Sequence, residues 1–374
     1  MKLRALLSIS VITTTLFLFS CEKTENDVLD IQSLPLPDLS SSLAPYDDIN
    51  DLEGSPLFRG LGGGQQITVT EAGATLGRVL FYDPRLSINN RISCGSCHSQ
   101  KHGFADPRQF SEGFAGKITS RNAMSIANPS VNNHFFWDSR VSQLEELALE
   151  PVRNHIEMGM EKMDDLVRKL NNTTYYPELF ERAFLAEEIT ADKIASALSQ
   201  FMCSLISVDS RMDQAMENGF SDFSELEKLG HNIFFSQKAM CGSCHSGGNL
   251  SAPDFPGGGY SQPDIQGTAN IGLQLVYTDN GKHEGQFKIP SLRNIGVTAP
   301  YMHDGRFKTL EEVIEHYDNG IALHKNLDAK FRTSDGAKKL NLSAIEKLAL
   351  IAFLNTLTDE NFLKDKRYSD PFKY

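Results

Sequence analysis

One pentapeptide, Cys-Gly-Ser-Cys-His, occurs twice in this 374-residue chain, at residues 94–98 and 241–245. In such a motif two thiols add to the vinyl groups of a haem, and the adjacent histidine supplies one axial nitrogen to the iron. A zinc site or a redox-active dithiol is the alternative, but both copies include the histidine. The sequence therefore predicts two covalently bound haems c. The residues predicted to hold them are Cys94, Cys97 and His98 for the first haem and Cys241, Cys244 and His245 for the second.

The surroundings of the two motifs also repeat. Leu76-Gly77 precedes the first motif and Leu229-Gly230 precedes the second, while downstream residues 137–146 match residues 303–312. Self-similarity of this kind is typical of a duplicated structural unit. We therefore expect two cytochrome c-like domains, each with one covalently bound haem c, at residues 56–215 and 216–374.

Helix-start signals favour a mainly α fold. Four hydroxyl residues are each followed three positions later by glutamate, which is the pattern of a capping box at the start of a helix. They are Ser142, Ser224, Thr309 and Ser343. Alternation of polar and apolar residues with the period of a strand is nowhere sustained. The predicted fold class is mainly α.

The N-terminal region has the pattern of an export signal. Lys2 and Arg4 precede an apolar stretch that is too short to favour a spanning helix, and Leu-Phe-Ser-Cys at residues 18–21 resembles a bacterial lipoprotein signal. We expect a signal peptide over residues 1–21, lipidation of Cys21, and a periplasmic or cell-envelope protein anchored by lipid alone; ordinary cleavage nearby is the alternative. Residues 22–55, rich in Ser, Pro and Asp, predict a flexible tether.

The charge of the chain restricts its partners. The formal net charge is -12 at pH 7. Nucleic acid is excluded as an expected partner, because phosphate binding depends on clustered lysine and arginine. A basic protein partner fits this charge better.

Several short segments resemble the bacterial di-haem cytochrome c peroxidases and the related MauG proteins, over about residues 70–360. The segments are Phe136-Trp137-Asp138, Glu157-Met158-Gly159, Pro290-Ser291-Leu292-Arg293-Asn294 and Pro300-Tyr301-Met302-His303-Asp304-Gly305. The resemblance implies reduction of hydrogen peroxide with electrons from a small cytochrome c or copper protein. The alternatives are a MauG-like oxidase acting on a protein or organic substrate and, from another class, a non-catalytic di-haem electron carrier.

The resemblance also implies roles for single residues. Glu157 would lie over the first haem as the acid-base group, since cleaving the O–O bond requires a proton to move between the two oxygens and one carboxylate can serve both halves. Trp137, the only tryptophan, would carry electrons between the haems, with a core aromatic as the alternative. His303 would lie near the second haem and hydrogen-bond one of its propionates.

Three positions depart from the peroxidase pattern. Phe114 stands sixteen residues after His98, where many family peroxidases have a ligating histidine, so we expect a first haem that is open without reductive activation. Tyr317 stands where the peroxidases have methionine as the far ligand of the second haem, and MauG has tyrosine there; a phenolate favours oxidised iron. Leu147 replaces a glutamine near the distal pocket. Alternative ligands of the second haem are His316, Met302 and Met240.

The resemblance further implies one Ca²⁺ between the domains. Its ligands would be the side chain of Asn122 and the backbone carbonyls of Thr298 and Pro300, together with waters. Oxygen ligands of this kind suit Ca²⁺. A water-filled polar junction is the alternative.

Overall fold

The structure is a computed structural model, and it describes residues 28, 30, 34–39, 65, 67–186, 188–251 and 267–372. The predicted signal peptide, the predicted lipidation site Cys21 and most of the predicted tether lie outside these residues. Within them, no helix is both long enough and apolar enough to cross a bilayer.

The described part of the chain is mainly helical, as the sequence predicted. Its α-helices are α1 (Glu71–Tyr82), α2 (Leu144–Arg153), α3 (Met163–Asn171), α4 (Tyr176–Phe184), α5 (Ala191–Ser204), α6 (Arg211–Asn218), α7 (Glu225–Phe234), α8 (Leu310–Glu315) and α9 (Ala344–Asn355). Two antiparallel pairs of short strands accompany them: β1 (Thr268–Ala269) with β2 (Phe287–Lys288), and β3 (Arg332–Thr333) with β4 (Gly336–Ala337). Long loops with single turns of 3-10 helix connect these elements.

Three of the four predicted capping boxes are confirmed. In α7, α8 and α9 the hydroxyls of Ser224, Thr309 and Ser343 accept from the backbone, and the glutamate three residues later accepts in return. The prediction for Ser142 is wrong, because α2 begins one residue later, after Gln143. The distant side chain of Gln65 accepts there from Leu144 N at 2.9 Å and donates to Ser142 O at 3.1 Å.

Buried apolar side chains form two main cores. The first contains residues of α1 to α5 with Val69, Leu86 and Phe104, and the second contains residues of α6 to α9 with Leu250 and Tyr301. The buried thiol of Cys203, on α5, lies in the first core. The domain boundary near residue 215 stays a prediction.

The repeated Leu-Gly pairs lie where two helices cross closely. In the first core α1 packs on α5, and a Cβ atom on Gly77 would lie 1.9 Å from Ala197 O. In the second core α7 packs on α9, and a Cβ atom on Gly230 would lie 1.9 Å from Ala349 O. Each glycine is thus required by the approach of a neighbouring backbone. These crossings fix the helix that leads into each Cys-Gly-Ser-Cys-His motif.

The C-terminal segment returns to the first core. Phe362, Tyr368 and Phe372 are buried there, and Tyr82 Oη donates to Tyr368 O at 2.6 Å. Part of the predicted tether is held at the same place, since Asp38 N donates to Pro371 O at 2.6 Å. The first core is therefore completed by the two ends of the described chain.

Candidate functional site

Each predicted proximal histidine is oriented by a carbonyl a few residues downstream. His98 Nδ1 lies 2.8 Å from Phe104 O, and His245 Nδ1 lies 3.1 Å from Leu250 O. A carbonyl can only accept, so Nδ1 carries the proton in both rings and Nε2 is left with a lone pair. This is the tautomer that a metal-binding histidine needs.

Three of the four motif thiols have a raised pKa. Burial raises the pKa of Cys94 and of Cys241 to about 12, and it also raises the pKa of Cys97. A redox dithiol or a thiolate metal site requires the opposite shift. Neutral thiols beside a histidine whose Nδ1 is held by a carbonyl fit covalent haem attachment, so the residues present at both motifs suit haem c.

The loop that follows α2 lies near the first motif. Asn154 organises it, because its backbone carbonyl accepts from Gly159 N at 2.8 Å and its Nδ2 donates to Glu157 Oε1 at 3.2 Å. Glu157 is close enough to Cys94 and Cys97 to raise the pKa of both thiols. Burial raises the pKa of Glu157 above its ordinary value, with Arg140 opposing the shift. The loop thus brings a carboxyl of raised pKa to the first motif.

Phe114 lies directly against this loop. Its backbone N donates to Glu157 O at 2.7 Å, and its ring would lie 2.9 Å from a Cβ atom on Gly159, whose φ is +70°. Leu147 packs at the edge of the first core. The position that holds a ligating histidine in many related peroxidases is therefore beside Glu157 and holds a side chain with no atom able to bind iron.

A large cavity lies beside the second motif. It brings together His245, both motif cysteines and Tyr317 with residues that the sequence separates widely. The predicted site residues on its wall are Trp137, His303, Asn122, Thr298 and Pro300, and two of the alternative ligands, Met240 and Met302, also line it. The cavity therefore joins most residues predicted for the second haem and for the junction.

Tyr317 occupies a widened turn of helix. The α-helix α8 ends at Glu315 and continues as a π turn over His316–Gly320. Burial raises the pKa of Tyr317 well above its usual range, with the nearby thiols of Cys244 and Cys241 adding to the shift. No hydrogen-bond partner of its hydroxyl is found among the described residues. His316 faces elsewhere, because its Nε2 donates to Ile271 O at 3.0 Å.

Trp137 belongs to the first half of the chain, and it lines the cavity beside the second motif. Its Nε1 donates to Asn122 O at 2.9 Å, and its carbonyl accepts from Lys288 N at 2.7 Å. The ring of His303 lies edge-on to it, with centroids 6.5 Å apart. Residues from both halves of the chain therefore hold the indole in one orientation.

His303 is stacked and buried. Its ring lies 3.6 Å from that of Phe287 at an angle of 13°, and burial lowers its pKa to about 4. Its Nδ1 is buried, and none of the described residues hydrogen-bonds it. A buried nitrogen without a partner next to a cavity indicates that a bound group completes its hydrogen bonding.

An arginine that the sequence analysis missed ties the junction together. Arg121 bonds Asp279 through Nε at 2.5 Å and Asp138 through Nη1 at 2.8 Å, and its guanidinium lies 5.8 Å from the ring centroid of Phe287. Arg121 and Asp279 are 158 positions apart in the sequence. No local pattern marks them, because only the folded chain brings them together.

The three residues predicted to bind calcium all line the cavity beside the second motif. Asn122 Nδ2 donates to Arg108 O at 2.9 Å, which leaves its amide oxygen as the available ligand atom. Thr298 and Pro300 line the same cavity. Among the described residues, no group of three or more His, Cys, Asp or Glu side chains could hold a metal ion. Any cation at this junction would rely on neutral oxygens.

Comparison with known proteins identifies the family. The sequence profile described as di-haem cytochrome c peroxidase matches residues 71–220. The chain is 32% identical to the cytochrome c551 peroxidase of Nitrosomonas europaea over 77% of this chain and 80% of that protein, and 31% identical to the methylamine utilization protein MauG of Methylophilus methylotrophus over 76% and 82%. This chain belongs to the di-haem cytochrome c peroxidase and MauG family, whose members are oxidoreductases with two haems c.

Solved structures agree with this assignment. A MauG-like protein associated with microbial copper homeostasis superposes with a TM-score of 0.72 at 35% identity, covering 82% of this chain and 96% of that one. The di-haem peroxidase BthA of Burkholderia thailandensis superposes with a TM-score of 0.64 at 18% identity, covering 82% and 92%. The second likeness concerns the fold alone.

Proposed function

We propose that this chain reduces hydrogen peroxide to water with electrons from a small redox protein, and that its first haem is open without prior reduction. The observation that carries the proposal is the pairing of Glu157 with Phe114 near the first motif. When bound, the haems supply iron that exchanges electrons with peroxide and with the donor. The remaining steps belong to side chains of this protein.

Glu157 is the acid-base group in this proposal. Its raised pKa brings the carboxyl closer to neutral pH, where an acid-base group that both accepts and donates a proton works best. The hydrogen bond from Asn154 Nδ2 to Oε1 fixes the carboxyl and leaves Oε2 to move the proton. Because Phe114 cannot ligate, no protein group has to leave before peroxide enters.

Trp137 provides the connection between the two haem sites. Its backbone carbonyl and indole nitrogen are both hydrogen-bonded, so the ring needs no rearrangement to pass an electron. The external donor in this proposal is a small cytochrome c or copper protein, and a basic one fits the net charge of -12. His303 Nδ1 is proposed to hydrogen-bond a propionate of the second haem.

Two further proposals rest on the sequence alone. We propose export with lipid anchoring through Cys21. Metabolic labelling with a radioactive fatty acid tests this, since the label should be lost in Cys21→Ala.

We also propose one Ca²⁺ held by Asn122, Thr298 and Pro300. Metal analysis of the purified protein after dialysis against a chelator tests this, with Asn122→Ala expected to lower the bound calcium.

The experiment that tests the main proposal is Glu157→Gln. The amide keeps the shape of the side chain but cannot take a proton, so peroxide turnover should fall by about 10²- to 10⁴-fold while both haems stay attached. Glu161→Gln is the matched control, because Glu161 is an exposed glutamate on the same loop. Turnover by Glu157→Gln equal to that of the control would remove Glu157 from the mechanism.

A MauG-like oxidase is the second candidate, and Tyr317 favours it. The tyrosine at this position resembles the tyrosine of MauG. The hydroxyl of Tyr317 has no hydrogen-bond partner among the described residues, and Tyr317 lines the cavity beside the second motif. The two functions separate when the air-oxidised protein is given reduced cytochrome c and peroxide. Rapid oxidation of the cytochrome supports the peroxidase. No oxidation, together with a long-lived oxidised state of the protein, supports the oxidase.

A further inference from the structure

A cluster of oxidisable side chains lies at the C-terminal end of α1, the helix that precedes the first motif in the sequence. Asp83 follows Tyr82 and is fully buried. Its Oδ2 accepts from two phenols, Tyr175 at 2.7 Å and Tyr176 at 2.8 Å. Its Oδ1 accepts from Arg85 through the backbone at 2.8 Å and the guanidinium at 3.1 Å. One buried carboxylate thus serves two tyrosines.

The two rings form a close pair, and only Tyr175 is partly exposed to solvent. Their centroids are 4.5 Å apart. Tyr176 is fully buried, whereas Tyr175 is partly exposed and has the guanidinium of Arg85 5.6 Å from its ring centroid. Burial raises the pKa of both phenols, so both are neutral and keep their protons on the hydrogen bonds to Asp83.

This pair is near the first motif. The ring of Tyr82 lies 2.5 Å from where a Cβ atom on Gly95 would be, and Gly95 is the glycine inside the first Cys-Gly-Ser-Cys-His. Asp83 is the next residue after Tyr82, and α1 packs against α4, which begins at Tyr176. The helix α1 therefore contacts the first motif through Tyr82 and also packs on the helix that carries Tyr176.

Oxidation of a phenol depends on the proton acceptor, because a phenol that has lost an electron becomes a strong acid. A carboxylate at hydrogen-bond distance can take that proton within the existing bond. Tyr82 and Trp137 differ in this respect, since they donate to the backbone carbonyls of Tyr368 and Asn122, which are very weak bases. Of these four rings, the two on Asp83 are therefore the ones prepared to hold a radical.

We propose that Tyr175 and Tyr176, with Asp83 as their shared proton acceptor, form a site that takes up an oxidising equivalent when peroxide has reacted and no donor is available. The proposal rests on the proposed reaction with peroxide. One phenol loses an electron to the oxidising equivalent left in the first domain, and its proton passes to Asp83. A neutral tyrosyl radical and a protonated carboxyl result. Asp83 accepts one proton, so the site holds one equivalent at a time.

The test is electron paramagnetic resonance of the full, haem-loaded chain, frozen after peroxide is added without donor. We expect a tyrosyl signal whose hyperfine pattern changes when the protein is grown with ring-deuterated tyrosine. The signal should be lost in the double variant Tyr175→Phe/Tyr176→Phe and kept in Tyr82→Phe, the matched control. A signal that persists unchanged in the double variant, or peroxide consumption without any tyrosyl signal, would overturn the proposal.

Two further measurements keep the outcomes distinct. Peroxide consumption is followed in the same samples, so that failure to react counts against the proposed function. A parallel series then uses photogenerated tris(bipyridine)ruthenium(III) as the oxidant, and the same loss in the double variant is expected. If that variant does not fold, the wild-type chain is treated with peroxide and a spin trap and then digested. An adduct on Tyr175 or Tyr176 supports the site, and adducts confined to residues other than these two refute it.

Discussion

Replacing Arg293 with methionine should destabilise the second core strongly. Arg293 donates to both oxygens of Asp213, each at 2.8 Å, and the two side chains are only 3% and 7% exposed. It also bonds Gly248 O at 2.6 Å, in the loop between His245 and Leu250. Truncation leaves a buried carboxylate without its counter-charge, which typically costs about 3–5 kcal/mol.

The dependence of this loss on pH has a definite sign. Burial alone would raise the pKa of Asp213, but the hydrogen bonds and charge of Arg293 outweigh it and hold the pKa below 3.8. The stability from this pair is therefore present above the ordinary aspartate pKa and is lost as the pH falls through the lowered value. In Arg293→Met the pKa of Asp213 rises, so the difference from wild type should shrink as the medium becomes acidic.

The assay is native-state hydrogen exchange with mass spectrometry, because two cores make a single unfolding transition an unsafe measure. Protection should fall in α6, α7 and α9 and stay unchanged in α1 and α5. Asp213→Asn combined with Arg293→Met should recover part of the loss, since no charge is then left buried. Lys364→Met is the control, because Lys364 and Glu360 form an exposed pair. A loss below about 1 kcal/mol would refute the reasoning.

Three further changes test other parts of the site. Gly230→Ala places a Cβ atom 1.9 Å from Ala349 O, so α7 and α9 must separate, and native-state hydrogen exchange should show a loss of about 1–3 kcal/mol in the protection of these two helices. Phe114→His adds a ligating side chain beside Glu157, so the first haem should become low-spin and unreactive toward peroxide until reduced; an unchanged spectrum would contradict the assignment of this position. Tyr317→Met should raise the potential of the second haem, measured by spectroelectrochemical titration, and no shift would mean that another residue holds the iron.

Local sequence patterns predicted the parts of this fold that depend on neighbours in the chain. The repeated motif fixed which histidines lie beside cysteines, and the structure adds the carbonyls of Phe104 and Leu250 that orient them. Three capping boxes were found for the same reason, since both partners lie within one turn of helix. Ser210 and Asp213 form a further capping box that the glutamate pattern overlooked, although aspartate can serve the same role.

Contacts between distant segments could not be read from the sequence. Gln65 lies 79 residues from the helix start that it caps. The clamp of Arg121 between Asp138 and Asp279 likewise depends on how the two halves meet. The π turn that carries Tyr317 escaped prediction because a single inserted residue leaves the apolar spacing of α8 almost unchanged.

The return of the C-terminal segment to the first core has a consequence for biosynthesis. A chain is made from its N-terminus, so the surface that receives Phe362, Tyr368 and Phe372 stays uncovered until these residues have been translated. The second core does not include them and can be complete earlier. A nonsense mutation just before Phe362 would thus damage the half of the protein that was made first, and expose aromatic surface around Tyr82 and Phe104.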